Sequence, residues 1–206
     1  MPLRFLKLRR SSSLKLTILK DRLWKFTGFL AKTVAKMPNF QGYLLHMTED
    51  KKILDVGCGY GSSHSYLNKA KEIVGLDINR EFVRYAKKCN PLYNYVIADC
   101  RMLPFRNGAF DITTMIMVLH HLPSYESVLR AVSEASRVSK EIIVLDYSIS
   151  ASFIGMIEKT WLKMHDHAMS FMTLKHWKEI AIKTCKRTFK CQISYPIQYF
   201  CLIHYY

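Results

Sequence analysis

The chain has 206 residues, half of them apolar and 13% aromatic, with eight Gly and six Pro. That is about one domain of chain with ample apolar residues for a core. It excludes the disordered, collagen-like and Gly/Pro-rich low-complexity classes. Thirty-one Lys and Arg against sixteen Asp and Glu give a net charge of +15, split as +7 over residues 1–50, +3 over 51–150 and +5 over 151–206. Basic ends around a nearly balanced middle suit an anionic neighbour, such as nucleic acid, an acidic membrane surface or an anionic substrate. A generally basic surface is the plainer alternative.

No apolar run approaches the ~20 residues that span a bilayer. The six cysteines (Cys58, Cys89, Cys100, Cys185, Cys191 and Cys201) include no C-x-x-C pair, and several lie in apolar runs. They read as reduced core thiols of a cytoplasmic protein. The eight histidines show no H-x-x-x-H or H-E-x-x-H spacing, so no metal site is expected.

Residues 1–18 form a basic arm. The first twenty residues carry Arg4, Lys7, Arg9, Arg10, Lys15 and Lys20 and no acid. Such a composition fits an organellar import segment, or an arm that docks on a membrane surface or RNA. From Leu19 a second segment, 19–50, begins. Leu19, Leu23, Phe26, Leu30 and Val34 recur at helical intervals, and Pro38, Asn39 and Gly42 are expected to break that helix.

Residues 51–206 alternate strand-like and helix-like runs. ILDVG (53–57) reads as a buried strand and Ser62 to Ala70 as a helix. EIVGLD (72–77) is a second strand and 80–88 a helix. YVIA (95–98) is a third strand, and FDITTMIMVL (110–119) a fourth. Ser124 to Val138 is a helix, and EIIVLDY (141–147) a fifth strand. Residues 153–185 read as mostly helical, with a break near 170–173. FKCQIS (189–194) and YFCLIHY (199–205) read as two closing strands. The fold class is therefore α/β: a doubly wound, mostly parallel seven-stranded Rossmann-like sheet with a C-terminal antiparallel hairpin.

The sharpest motif is Asp55-Val-Gly57-Cys-Gly59-Tyr-Gly61, between a strand and a helix-like run. Glycines there permit positive φ and let a ligand approach the backbone, and a following helix N-terminus would present free N–H groups. Asp77 ends the second strand, twenty residues after Gly57, where a carboxylate can accept both ribose hydroxyls. Asp99 follows the third strand and can receive an adenine amino group. Three acids at three consecutive strand ends describe an adenosine pocket. NAD is one candidate ligand. However, the spacing is G-x-G-x-G rather than G-x-G-x-x-G, and Asp55 two residues earlier suits an ammonium better than a pyrophosphate. S-adenosylmethionine (SAM) carries an ammonium and no phosphate.

Over about residues 50–147 the sequence resembles the class I SAM-dependent methyltransferases, in the group of the ubiquinone/menaquinone and sterol enzymes. ILDVGCGYG, VGLDIN and ADCRMLPFRNGAFDITTMIMVLHHL carry the resemblance. It implies that Asp55, Gly57, Gly59 and Gly61 hold the amino-acid end of SAM. Asp77 and Ile78 would hold ribose and adenine, and Asp99 and Cys100 would flank the adenine. Leu119 or His120 would line the floor near the methyl. The chain departs from that group before its fifth strand, where RVSKEIIVLDY replaces a K-P-G-G turn. It departs again before the sixth, where KTCKRTF replaces a G-F pair.

His120 and His121 follow the fourth strand at the edge where an acceptor enters, and His120 is a candidate base or positioning group. Asp146 ends the fifth strand beside them. His165, Asp166 and His167 form a polar cluster that either faces the acceptor or sits exposed at a helix terminus. LHHL stands where enzymes acting on base amino groups resemble [DN]-P-P-[YF]. A small-molecule or lipid-like acceptor is therefore expected first, RNA second, and cofactor binding without catalysis third.

Overall fold

The computed structural model describes residues 40–149, 159–160, 162–164, 167–184, 189–193 and 200–205. The chain divides into two compact units, Met1–Phe40 and Gln41–Tyr206. The basic arm, the helical pattern of residues 19–39, His165 and Asp166 lie outside the described residues.

Seven strands form one sheet: β1 Lys52–Val56, β2 Glu72–Asp77, β3 Asn94–Ile97, β4 Phe110–Ile116, β5 Ser139–Tyr147, β6 Phe189–Ile193 and β7 Phe200–Tyr205. Their order is β3-β2-β1-β4-β5-β7-β6. The first five are parallel, with Asp55 opposite Gly75 on one side and Thr114 on the other. The backbone of β7 pairs antiparallel with β5, and β6 pairs antiparallel with β7. Strand order reverses between β1 and β4. In a doubly wound sheet the crevice beyond the carboxyl ends at that reversal is where a ligand fits.

Helix α1, Phe40–Thr48, runs straight through Gly42. Gly42 does not interrupt this helix, and nothing lies within 4 Å of where a Gly42 Cβ would sit. Glycine weakens a helix interior by about 1 kcal/mol and does not forbid it. Helix α2, Arg80–Cys89, starts at Asn79, whose side chain accepts from the N–H groups of Glu81 and Phe82. Helix α3, Tyr125–Val138, starts at Ser124, whose hydroxyl accepts from Ser127 N–H at 3.2 Å. It buries Val128, Ala131, Val132, Ala135 and Val138 at helical spacing. Helix α4, Leu174–Thr184, anchors Trp177, whose Nε1–H donates to Tyr147 O at 2.9 Å.

Two expectations fail locally. Ser62 to Ala70 forms only a 3₁₀ turn, Ser62–Tyr66, without a side-chain cap. Its serines and Asn68 compete with the backbone for hydrogen bonds, which shortens a helix. The fourth strand stops at Ile116 instead of 119. Met117 turns off the sheet at φ 55°, and Leu119–His121 is a second 3₁₀ turn. An unbroken apolar run does not show where a backbone turns.

Candidate active site

The glycine loop starts where β1 leaves the sheet. The N–H groups of Gly57 and Cys58 both donate to Leu76 O, at 2.7 and 3.0 Å, which ties the loop to β2. Gly57, Gly59 and Gly61 have φ of 73°, 51° and 78°, the left-handed region that side chains resist. A Cβ on Gly57 would lie 2.6 Å from Val118 Cβ and strike Val118 Cγ2. The group that approaches Gly57 most closely is thus a side chain from the turn after β4.

The three acids have three different surroundings. Asp55 is buried. It accepts from the Ser63 hydroxyl at 2.6 Å and the Thr114 hydroxyl at 2.9 Å, and His64 Nε2 stands 3.4 Å away. Asp77 accepts from Gly59 N–H on one oxygen and Asn79 N–H on the other, both at 2.9 Å. Burial pushes its carboxyl up, against the pull of those N–H groups. Asp99 is gripped by the fork of Arg101, with Nη2–Oδ2 at 2.6 Å and Nε–Oδ1 at 3.0 Å. That hydrogen-bonded guanidinium holds its carboxyl below the ordinary range.

Apolar groups lie next to these acids. Ile78, just past Asp77, is 68% exposed, and Met102, three residues past Asp99, is 70% exposed. Large apolar side chains left bare beside two strand-end carboxylates make an aromatic base a natural occupant. Cys100 is half-buried, and burial raises its thiol to about 11, so it is a packing group and not a nucleophile at neutral pH.

The second half of the site lies beyond β4 and β5. Asp146 and His120 are both buried, and His120 Nδ1 lies 2.7 Å from Asp146 Oδ1. The other carboxylate oxygen accepts from Leu119 N–H at 2.7 Å and His120 N–H at 3.3 Å, and Tyr147 N–H donates to Oδ1 at 2.7 Å. Asp146 therefore both orients the imidazole and holds the turn that carries it. The His120 ring packs on His121 at 4.0 Å and on Tyr147 at 4.8 Å between centroids.

Leu119 is fully buried in the core. Its carbonyl accepts from the Ser170 hydroxyl at 3.1 Å, and His120 O accepts from Met169 and Ser170 N–H. Residues 167–173 thus strap across the His120 turn, with His167 exposed at φ 51°. The sequence offered no signal for this strap, nor for Met117 or the burial of His64. Among the described residues, no group of three His, Cys, Asp or Glu is placed to hold a metal, and no helix is long and apolar enough to cross a membrane.

Residues 54–142 match the family model described as a methyltransferase domain. The chain is 32% identical over 101 residues to the phthiotriol/phenolphthiotriol dimycocerosates methyltransferase of Mycobacterium leprae, covering 47% of this chain and 37% of that protein. It is 31% identical over 99 residues to the tRNA (carboxymethyluridine(34)-5-O)-methyltransferase of Saccharomyces cerevisiae, covering 47% and 35%. It matches the fold of the magnesium protoporphyrin IX methyltransferase from Synechocystis PCC 6803 with bound S-adenosylhomocysteine (SAH), with TM-score 0.62, 15% identity, and coverage of 84% and 81%. Over residues 54–142 the chain resembles a methyltransferase domain, and its sheet has the fold of one solved with SAH bound. The matches span little more than a third of the length of these curated relatives.

The donor set around the glycine loop fits SAM. Left-handed glycines open the loop, Asp77 offers carboxylate oxygens at the β2 end, and bare Ile78 and Met102 suit an adenine face.

Proposed function

We propose that this protein moves the methyl group of SAM to an oxygen nucleophile on a small-molecule or lipid-like acceptor. The observation that carries this reading is the buried His120–Asp146 pair at the carboxyl ends of β4 and β5. Asp55 and the loop of Gly57, Gly59 and Gly61 would receive the amino-acid end. Asp77 and Ile78 would hold ribose and adenine, and Asp99 and Cys100 would edge the adenine. Leu119 would support the floor under the methyl. SAM supplies a methyl on an already activated sulfonium.

What remains for the protein is alignment, exclusion of water and removal of a proton. An ionised Asp146 only accepts, so it selects the His120 tautomer with its proton on Nδ1 and its lone pair on Nε2. His120 Nε2 would take the proton of the acceptor's O–H, while SAM would supply the methyl, its carbon–sulfur bond breaking to leave SAH. Asp146 then stabilises the imidazolium. His121, stacked on that ring, would line the acceptor's entrance.

A second reading has its own support. A tRNA methyltransferase is among the relatives, and the chain carries a net charge of +15. RNA is then the acceptor. Free Cys58, Cys89 and Cys100 and the basic arm support a cytoplasmic protein docked on an anionic surface through residues 1–18. Removing residues 1–18 should leave SAH affinity unchanged and weaken retention on anionic vesicles, a loss that added salt should mask.

The test is transfer of tritiated methyl from SAM to lipid, metabolite and RNA fractions by the full chain. Label in the lipid or metabolite fraction, lost with His120→Ala, is the expected result. Label only in RNA would favour the second reading. Tight SAH binding with no labelled fraction would leave a cofactor-binding protein and refute transfer.

A further inference from the structure

The methyl-transfer scheme makes no use of His64. It is 1% exposed, as is Asp55. Its Nε2 faces Asp55 Oδ2 at 3.4 Å without meeting hydrogen-bond geometry, and among the described residues no other partner reaches that nitrogen. On the other side, Nδ1 lies 3.2 Å from the Tyr95 hydroxyl, which also reaches Ala86 O at 3.2 Å and Asn90 O at 3.4 Å. The glycine loop rests on the same ring, since a Cβ on Gly61 would meet His64 Nδ1 at 3.0 Å.

This arrangement accommodates either charge state without moving a side chain. With His64 neutral, the Tyr95 hydroxyl donates to Nδ1 and the ring's single proton sits on Nε2, towards Asp55. With His64 protonated, Nδ1–H donates to the Tyr95 oxygen. The hydroxyl then turns its hydrogen to Ala86 O, and Nε2–H pairs with Asp55. Other titratable groups around the ring are Cys58 in the loop, Tyr93 edge-on at 5.1 Å, and Tyr95 itself. Burial pushes the Cys58 thiol and the Tyr95 hydroxyl up, so both stay neutral between pH 5.5 and 7.5. Asp77, at the end of β2, interacts with both Asp55 and Cys58.

We propose that His64 makes binding of the cofactor's ammonium proton-linked. With His64 neutral, the negative charge of Asp55 attracts that ammonium. With His64 protonated, the imidazolium neutralises Asp55 and repels it. Cofactor binding then releases a proton from His64 to solvent. The inference rests on the reading that Asp55 serves the amino-acid end of SAM.

Calorimetric titration of the full chain tests it, with SAH and with 5′-methylthioadenosine, which has the same nucleoside but no amino-acid end. If a proton on His64 opposes the ammonium, SAH binding should weaken severalfold as pH falls from 7.5 to 5.5. Methylthioadenosine affinity should stay within about twofold over the same range. Between pH 5.5 and 7.5, heats measured in phosphate and in imidazole buffer should differ by up to one released proton for SAH and not for methylthioadenosine. His64→Gln, which keeps a polar group of similar reach and does not titrate, should flatten the SAH profile. Equal pH slopes for the two ligands would place the titrating group at the nucleoside, at Asp77, and overturn the inference. So would a slope that survives His64→Gln. If His64→Gln does not fold, the two-ligand comparison and the buffer heats on the native chain still decide. Failure of SAH to bind at every pH would remove the methyltransferase reading, and this inference with it. A flat SAH profile with tight binding would remove this inference alone.

Discussion

The two halves of the site are built in different ways. On the β1–β2–β3 side, each acid stands at or beside the end of its own strand, and two of them bond close by in sequence, while Asp55 also reaches Thr114, 59 residues away. Asp77 reaches Asn79, and Asp99 reaches Arg101. On the β4–β5 side the parts come from far apart. His120 meets Asp146, 26 residues away, and Leu119 meets Ser170, 51 residues away. The first half is largely a set of local turns carried by the sheet, tied to β4 through Asp55 and Thr114. The second is assembled wholly from distant segments. Damage to the second should therefore strike turnover and stability together, and damage to the first should strike cofactor affinity.

The largest expected effect is at Asp146. Asp146→Ala leaves the N–H groups of Leu119, His120 and Tyr147 and the His120 ring without their acceptor. Breaking one side of a buried pair costs about 3–5 kcal/mol, and thermal unfolding should show it. Asp146→Asn keeps the shape but not the charge. It should lower turnover by roughly 10²–10⁴-fold, the range of a positioned general base, with SAH affinity within about twofold. Equal losses of turnover and SAH affinity would show that the two halves are not separable.

Gly57 is where the halves touch, through Val118. Gly57→Ala forces a side chain into a left-handed position, at about 1–2 kcal/mol, and against Val118, at about 1–3 kcal/mol more. Unfolding temperature and SAH affinity should both drop. Adding Val118→Gly removes the obstructing atoms and should recover part of both. No recovery would mean that backbone strain alone matters there.

The same contrast explains what the sequence disclosed. The parallel strands, the capped helices α2 and α3 and the run of Asp55, Asp77 and Asp99 were legible because each is set by a few adjacent residues. The extent of the Ser62 helix, the end of β4 and the helix through Gly42 were not. Those outcomes depend on competing hydrogen bonds and on packing. His120 and Asp146 could each be singled out by position, but neither their 2.7 Å contact nor the strap over them leaves a periodic trace. His64 is similar: a polar residue in a serine-rich turn reads as surface until Asp55 and Tyr95 enclose it.

Asp77 sharpens the comparison through pH. Burial raises its folded pKa above the unfolded value. The stability linked to its protonated form is therefore full below the unfolded carboxylate range and is lost as pH rises through the folded pKa. At neutral pH the cofactor-free protein is destabilised by ionised Asp77. Asp77→Asn should raise the unfolding temperature of the SAH-free protein at pH 7, and the gain should vanish at acid pH. Asp77→Ala should weaken SAH binding at least about tenfold, since a charge-assisted bond contributes about 1.5–3 kcal/mol. SAH affinity unchanged in Asp77→Ala would reduce Asp77 to a turn residue.

The smallest effect belongs to Asp99, whose carboxylate is already engaged. Arg101 holds it with a fork that is partly exposed, the two side chains being 30% and 39% accessible. The adenine amino group can take an Asp99 oxygen only by sharing it with that fork. The guanidinium lowers the Asp99 pKa, so the sign is opposite to that at Asp77. The pair's contribution to stability is present above the unfolded carboxylate range and is lost as pH falls through the folded pKa. Arg101→Ala should free Asp99 and tighten SAH binding by about two- to fivefold, the scale of an exposed pair. It should leave unfolding at pH 7 almost unchanged, because water screens what is removed. Adenosine should gain by the same factor as SAH, since the gain lies at the base and not at the amino-acid end. If Arg101→Ala instead weakens SAH and adenosine alike, Arg101 stacks on or bonds to the adenine itself. The local half of the site would then hold a contact that its own turn geometry conceals.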